Sequence, residues 1–392
     1  MDKSRGIKMK IVFTTHAYWP KKNGVQYVNQ YMAEGLVHLG HEVLVITNHT
    51  DSKEERQYEH NGVKIIDLYL KTRYSIFYFG KKEYVERVLN LVNKCDCLIN
   101  VCVQAPNNNV LLPFLKKISC KKILYMHGMH DFKHVKISSS SLRYYFWHIF
   151  MNIRWRLFYY MNRYNFLEYD HMIDIHNKSD TIQFMKKLGY KKNIVIISNA
   201  VEDFDKIQIN TNDTSNLKYL DTPFFLNIAN FTELKNQAMI IEAFNMIREQ
   251  TDYNLVLIGG ASDYSRYIEQ LVNKYSLNDR VLILKDYNRE DTIKYIKCAK
   301  CGILSSHKEV FPIFIGETIA CKHPYISTDV GCLRNIPGGI LVNNVEEMAS
   351  AMLSIQDQFR YDELSSLGYR YALDNLKQST KIAKLNDLIS NR

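Results

Sequence analysis

Residues 223–260 read PFFLNIANFTELKNQAMIIEAFNMIREQTDYNLVLIGG. An apolar run, FFLNI, gives way to a short polar loop, a helix is expected near 236–249, and NLVLI is apolar again. Apolar runs without in-and-out alternation belong to strands covered on both faces, and two of them joined by a helix imply neighbours in a parallel sheet. The pattern continues downstream through a helix near 263–275, RVLILKD, a helix near 290–298, CGILSS and HPYISTD.

The same alternation runs upstream. KIVFTT leads to a helix over roughly 25–39 and then to HEVLVIT, DCLINVCV, KKILYMH and NIVIISN. Between the two series, DFDKIQINTNDTSNLKYLDTP (203–223) is polar and rich in turn residues, as a linker is. The expectation is therefore an α/β protein of two doubly wound parallel-sheet domains, 1–204 and 223–376. A linker covers 205–222, and a last helix in 377–392 is a candidate to pack back on the first domain. A length of 392 residues suits two domains better than one core. In open parallel sheets ligands sit beyond the carboxyl ends of the strands, so two such domains imply a shared cleft.

Composition narrows the class. With 46% hydrophobic and 23% charged residues the chain is globular, and its net charge of +10 admits nucleic acid, an anionic membrane or an acidic substrate as partner. The basic residues are dispersed and no recognition motif occurs, so nucleic acid is not expected. No apolar run is long enough to span a bilayer, and the start MDKSRGIKMK leads into a strand rather than a signal-peptide core. Eight scattered cysteines suit a reducing compartment without disulfides. A cytoplasmic protein is expected, at most peripheral at the inner face of the membrane. One segment departs from the plan: 142–169, where Leu142, Phe146, Ile149, Ile153, Leu157 and Met161 recur at helical spacing, with aromatics and four arginines between them. It is either an ordinary helix packed on the first domain or a contact surface for an anionic membrane.

Candidate site residues are judged by their place at strand ends. Asn23 and Gly24 stand where a loop runs into a helix, a position whose free amides suit an anion. His127 closes the apolar strand KKILYMH. Lys235 lies in the loop after FFLNI, just before a helix, where a cation and helix amides together could clamp a diphosphate. In CGILSSHKEVFPIFIGET (301–318), Glu309 falls in the loop at the strand's carboxyl end, Pro312 suits a first helical position and Glu317 lies in the next two turns. Two carboxylates there could form a metal pair, an acid and base, or acceptors for sugar hydroxyls. Asp203 and Asp205 form a DxD that opens the linker, Cys298 and Cys301 a lone CxxC, and neither is expected to hold a metal.

In this order the motifs PKKNGV, His127, SNAVED (198–203), ELKNQ (233–237) and Glu309 to Glu317 resemble the GT-B glycosyltransferases of glycosyltransferase family 4, the retaining sugar-nucleotide type, over nearly the whole chain. The resemblance implies that the donor is a nucleotide diphosphate sugar and that no metal or other cofactor is needed. The implied acceptor is a glycan or lipid-linked molecule in cell-surface polysaccharide or glycolipid assembly. By position it implies Glu309 on the donor sugar, amides around Phe311, Pro312 and Ile313 on the diphosphate, and Glu317 on the ribose hydroxyls. Lys235 would neutralise the leaving diphosphate, Asn23 and Gly24 would close over it, Asn199 and Asn230 would stand at the donor, and His127 would line the sugar pocket. The sequence departs from the family pattern at Asn23, Ala200, Val310 and Asn230, which stand for two glycines, another glycine and an arginine in many members; Asn230 removes a charge from the diphosphate site. A 2-epimerase of the same fold and an inactive sugar-nucleotide-binding module are the alternatives. The Lys235 loop and the Glu309 to Glu317 stretch fit a transferase better.

Overall fold

A computed structural model describes residues 7–16, 18–20, 24–129, 142–177, 179–207, 218 and 222–391. The chain divides into two units, Met1–Ser198 with Ser379–Arg392, and Asn199–Gln378. Most of the linker expected at 205–222 lies outside the described residues, as does Asn23. Residues 199–204, which composition groups with the first domain, go with the second unit. There Val201 N donates to Leu376 O at 3.0 Å and forms a parallel bridge with Lys377, a tie to the far end of the chain that no local pattern encodes.

The first unit begins β1 (Lys10–Thr14), α1 (Gly24–His38), β2 (Glu42–His49), β3 (Arg56–His60) and β4 (Val63–Tyr69). A small hairpin follows, β5 (Lys71–Arg73) and β6 (Phe77–Phe79), and then α2 (Lys81–Val92), β7 (Cys97–Val101), α3 (Pro106–Leu111) and β8 (Lys121–Tyr125). The unit's main part closes with α4 (Leu142–Phe166), β9 (His171–Asp174), α5 (Asp180–Lys187) and β10 (Ile194–Ile196). Its eight-stranded sheet has the order β10-β9-β8-β7-β1-β2-β4-β3, with β3 antiparallel to β4 and the other neighbours parallel. The β3–β4 turn uses Asn61 and Gly62, both at positive φ (48° and 78°), the geometry that matches the twist of a two-residue hairpin.

α4 buries a different face from the one its apolar spacing suggests. Trp155, Tyr159 and Phe166 are the residues that turn inward, each at most 4% exposed, and pack on the first unit's core. The apolar stripe read from the sequence faces outward instead: Phe146 is 64% exposed, Ile153 56%, Leu157 55% and Met161 75%. Helical spacing identifies a stripe, but two stripes share this helix, and the larger aromatic side chains remove more apolar area from water when they take the core side.

The second unit comprises β11 (Phe224–Ile228), α6 (Gln237–Ile247), β12 (Asn254–Gly259), α7 (Asp263–Lys274), β13 (Val281–Lys285), α8 (Arg289–Cys298), β14 (Cys301–Leu304), α9 (Ile313–Ala320), β15 (Tyr325–Thr328), β16 (Gly339–Val342), α10 (Val345–Ser354) and α11 (Gln358–Asn375). All its strand pairs are parallel, in the order β13-β12-β11-β14-β15-β16. The connections wind to one side from β11 and to the other from β14, so the switch point lies between those two strands, where an open sheet offers a crevice. α12 (Gln378–Ser390) lies mostly in the first unit: Lys121 Nζ donates to the carbonyls of Leu388 and Ile389 at 3.2 and 2.8 Å, satisfying groups that a helix end leaves free.

Gly259 ends β12 where a Cβ would run into the carbonyl oxygen of Ala229 and lie 3.0 Å from the Phe231 ring. The backbone obstacle cannot swing aside, so Gly259→Ala is expected to lower stability by about 2 kcal/mol, read as a shift of the urea midpoint. An unshifted midpoint would show that this close approach is not maintained.

Candidate functional site

At the switch point the two strand ends are tied by one side chain. Ser305, directly after β14, places its Oγ 2.9 Å from the carbonyl of Lys235 and 2.8 Å from that of Asn236, in the loop after β11. His307 N donates to Leu234 O at 2.9 Å and tightens the same join. Asn236 adopts φ 51°, ψ 44° and turns the chain into α6. This geometry holds Lys235 against the β14 loop, and its Nζ reaches Glu309 Oε1 at 2.5 Å. Ser306 Oγ donates to the same oxygen at 2.8 Å, so both bonds converge on Oε1 and neither uses Oε2. The pair is partly buried, with side chains 25% and 12% exposed, which strengthens it relative to a surface ion pair.

The loop carrying Glu309 is also braced from the next crossover. Thr328 Oγ1 donates to Ser306 O at 2.7 Å, and Cys332 N to Val310 O at 3.1 Å. Gly331, at φ 59°, is essential to this contact, because a Cβ there would stand 2.6 Å from Val310 O and 2.9 Å from Glu309 O.

Pro312 caps α9 in extended conformation (φ −72°, ψ 112°), and the helix starts at Ile313, one residue later than the sequence suggested. The amides of the first turn, from Ile313 on, then point out of the helix, as those of any helix start do. Phe311 is buried, and its carbonyl lies 3.5 Å from Asn199 Nδ2, at the limit of a hydrogen bond. Asn199 itself is 5% exposed.

Glu317, in the second turn of α9, is 4% exposed and meets Arg289 Nη2 at 2.5 Å. Arg289 Nη2 also stands 3.4 Å from Glu202 Oε2. Burial pushes the Glu317 carboxyl pKa up and Arg289 opposes this, with burial the larger effect. Arg289 is the first residue of α8, where the helix dipole disfavours a cation, and the two carboxylates offset that cost. Sequence reading passed over Arg289 and Glu202, although a basic residue opening a helix in DYNRED is a usable signal. It also passed over Ser305 and Ser306, which follow the buried strand directly.

Lys235, Glu309, Glu317, Asn199, Asn230, Phe311, Pro312 and Ile313 all belong to the second unit, while Gly24 and His127 belong to the first. Asn230 is exposed, and its carbonyl accepts from Gln237 Nε2 at 3.2 Å. Gly24 opens α1. His127 stacks on Tyr125 at 4.6 Å between ring centroids, and burial pushes its pKa down to about 4, so the imidazole is neutral at physiological pH. At the carboxyl ends of β1 and β7 in the same unit, Thr14 Oγ1 lies 2.5 Å from Asn100 Oδ1 and 2.6 Å from Asn108 Oδ1, a buried polar cluster the sequence did not single out. Asp203 and Asp205 of the DxD engage Lys206 and Tyr369 at 2.9 and 2.6 Å. Among the described residues no group of three or more His, Cys, Asp or Glu could hold a metal ion.

Comparison with known proteins gives this arrangement a class. Residues 22–203 match the model of Glycosyltransferase Family 4, and residues 208–338 that of Glycosyl transferases group 1. The chain is similar to sucrose-phosphate synthase from Thermosynechococcus elongatus, with a TM-score of 0.76 at 17% identity over 97% of this chain and 98% of that one. It is also similar to HepE of Anabaena, solved in complex with UDP and glucose, with a TM-score of 0.72 at 15% identity over 97% and 99% of the two chains. A probable sucrose-phosphate synthase of Thermosipho melanesiensis is 31% identical over 179 residues, 42% of each chain. The matched regions span about two fifths of the length of such curated relatives. The two family matches, contiguous along most of the chain and coinciding with two parallel-sheet domains, place this protein in the group 1, family 4 glycosyltransferases of GT-B fold.

The Glu317–Arg289 contact makes a quantitative prediction. Arg289→Met leaves a buried carboxylate without its cation, and is expected to cost about 2 kcal/mol at neutral pH, less than a fully buried pair because Arg289 is 37% exposed. A carboxyl whose folded pKa is raised stabilises the fold below its unfolded pKa, and that stability is lost as pH rises through the folded value. The deficit of the variant is therefore expected to shrink as pH falls toward the ordinary carboxyl value of 4.5. Urea midpoints of parent and variant at pH 4.5 and at neutral pH measure it, and a pH-independent deficit would contradict the assignment.

Proposed function

We propose that this protein transfers a sugar, a hexose or N-acetylhexosamine, from a nucleotide diphosphate sugar to a glycan or lipid-linked acceptor with retention of configuration. The reaction would serve cell-surface polysaccharide or glycolipid assembly. One observation carries the reading: Lys235 meets Glu309 at the switch point of the second unit's sheet, with the first turn of α9 between Glu309 and the buried Glu317. Chemistry explains why these groups belong together. A diphosphate needs a cation and free amides, a sugar needs a fixed acceptor for its hydroxyls, and a ribose needs a carboxylate held in place.

In this reading the diphosphate sits on the first-turn amides of α9 and draws Lys235 away from Glu309. The Glu309 carboxylate, still held by Ser306, then accepts from hydroxyls of the donor sugar. Glu317 accepts from the ribose hydroxyls, and Arg289 favours its charged form against the effect of burial. The acceptor oxygen attacks the anomeric carbon on the face the diphosphate leaves; the carbon–oxygen bond to phosphate breaks, and the departing phosphate oxygen takes the acceptor's proton. Catalysis is then positioning and stabilisation of charge on the leaving group, without a protein nucleophile and without a resident metal. His127, which burial keeps neutral at physiological pH, is not assigned as an acid.

Thermal-shift screening against UDP-, GDP-, ADP- and dTDP-sugars identifies the donor, and turnover is then compared for parent, Lys235→Ala and Glu309→Ala. A loss of kcat on the order of a hundredfold or more is expected for Lys235→Ala. Release of nucleoside diphosphate that depends on an acceptor separates transfer from 2-epimerisation. If no sugar nucleotide binds, or if both variants turn over like the parent, the reading fails.

A further inference from the structure

We infer that α4 and the β5–β6 hairpin form one docking face for an anionic lipid bilayer. This inference does not depend on the sugar-transfer reading. The outward stripe of α4 runs from Phe146 through Phe150, Ile153 and Leu157 to Met161 and Tyr164, every one of them between 43% and 75% exposed. At 25 residues the helix is about 37 Å long, so the stripe extends along one side of the unit. Single exposed apolar residues are ordinary, but a continuous row of this length marks a contact surface.

The hairpin continues that surface. Tyr74, at its turn, meets Trp147 edge-on at 5.7 Å, and Arg154 of α4 donates to the Ser75 carbonyl, which fastens helix and hairpin together. Tyr78 turns inward onto the first unit's core, and strand alternation leaves Phe77 and Phe79 outward at 59% and 50% exposure. Their cross-strand partners are Arg73 and Lys71, so the exposed face of the hairpin alternates aromatic and basic groups.

Charge identifies the occupant. Residues 69–82 and 142–166 together contain eight Lys and Arg and not one Asp or Glu, against a net charge of +10 for the whole chain. A second copy of this chain would bring the two sets of cations face to face, which opposes a self-contact. Nucleic acid would satisfy the cations but has no use for Ile153, Leu157 and Met161. An anionic bilayer answers both needs: its headgroups meet Arg and Lys, and the boundary of its acyl chains takes up the aromatic and aliphatic side chains. Arg163, within 4.4 Å of the Tyr160 and Tyr164 rings, and Arg73, 5.2 Å from the Tyr74 ring, carry charge and ring together, a pairing suited to that interface. No helix among the described residues is long and apolar enough to cross a membrane, so the attachment is peripheral.

The test uses the full chain with extruded vesicles of phosphatidylcholine alone and of phosphatidylcholine containing about one third phosphatidylglycerol. Co-sedimentation with the anionic vesicles only, weakened by added salt, is expected. Two variants separate the parts of the face: Ile153→Ser with Leu157→Ser on the helix, and Phe77→Ser with Phe79→Ser on the hairpin. All four sites are exposed, so unchanged thermal unfolding confirms the fold, and each pair is expected to weaken partitioning about tenfold or more. The emission of Trp147 is expected to shift to shorter wavelength on binding, a change abolished in Trp147→Tyr. Absence of co-sedimentation overturns the proposal, as does binding that both double variants retain. A monomer–dimer equilibrium in ultracentrifugation, removed by the same variants in a protein that ignores vesicles, would assign the face to a second copy and likewise overturn it. Retention on a nucleic-acid column with no affinity for vesicles would do the same.

Discussion

A single serine hydroxyl organises the candidate site. Ser305 Oγ lies within hydrogen-bond reach of two consecutive carbonyls, those of Lys235 and Asn236, and so joins the loop after β11 to the loop after β14. Those strands are neighbours across the point where the winding of the sheet reverses, and parallel connections pull their loops apart unless something closes the gap. With the gap closed, Lys235 faces Glu309, Ser306 shares the same carboxylate oxygen, and α9 starts beside them. Gly331 and Cys332 clamp the β14 loop from its other side.

Within that frame the two glutamates of EVFPIFIGE differ in kind. Glu309 sits in a loop, partly buried, with Lys235 and Ser306 both on its Oε1. Glu317 is buried in a helix and tied to Arg289, with Glu202 behind it. Burial raises the Glu317 carboxyl pKa and Arg289 opposes that rise, so the guanidinium favours the charged form of a carboxyl that burial disfavours. Such a division suits a ligand with a part that changes during reaction and a part that is only gripped.

Much of the fold was legible because each βα repeat of the second unit announces itself locally. FFLNI, NLVLI, RVLIL and CGIL are apolar without alternation, and the helices between them fall within two or three residues of their expected ends. Lys235, Glu309 and Glu317 were legible for the same reason, since a strand's end can be read from the strand. The first unit was harder. β3 is a polar edge strand with little apolar signal, although the Asn61–Gly62 turn after it is a strong hairpin marker that went unread. The direction of α4 could not be read at all, because its spacing supports two apolar stripes and only the packing of Trp155, Tyr159 and Phe166 on the first unit's core decides between them. Arg289 escaped because its two partners, Glu317 and Glu202, are distant from it in sequence. Pairing across elements is a property of the folded chain, and only the oddity of a cation at a helix start hinted at it.

The central claim is that Lys235 and Glu317 hold opposite ends of one nucleoside diphosphate. Titration calorimetry of the nucleoside diphosphate corresponding to the preferred donor, against the parent, Lys235→Ala and Glu317→Gln, tests it directly. The account predicts a dissociation constant weaker by about tenfold or more in each variant, as expected for loss of one charge-assisted contact. Parent-like affinity in both variants, with the fold intact, would contradict it.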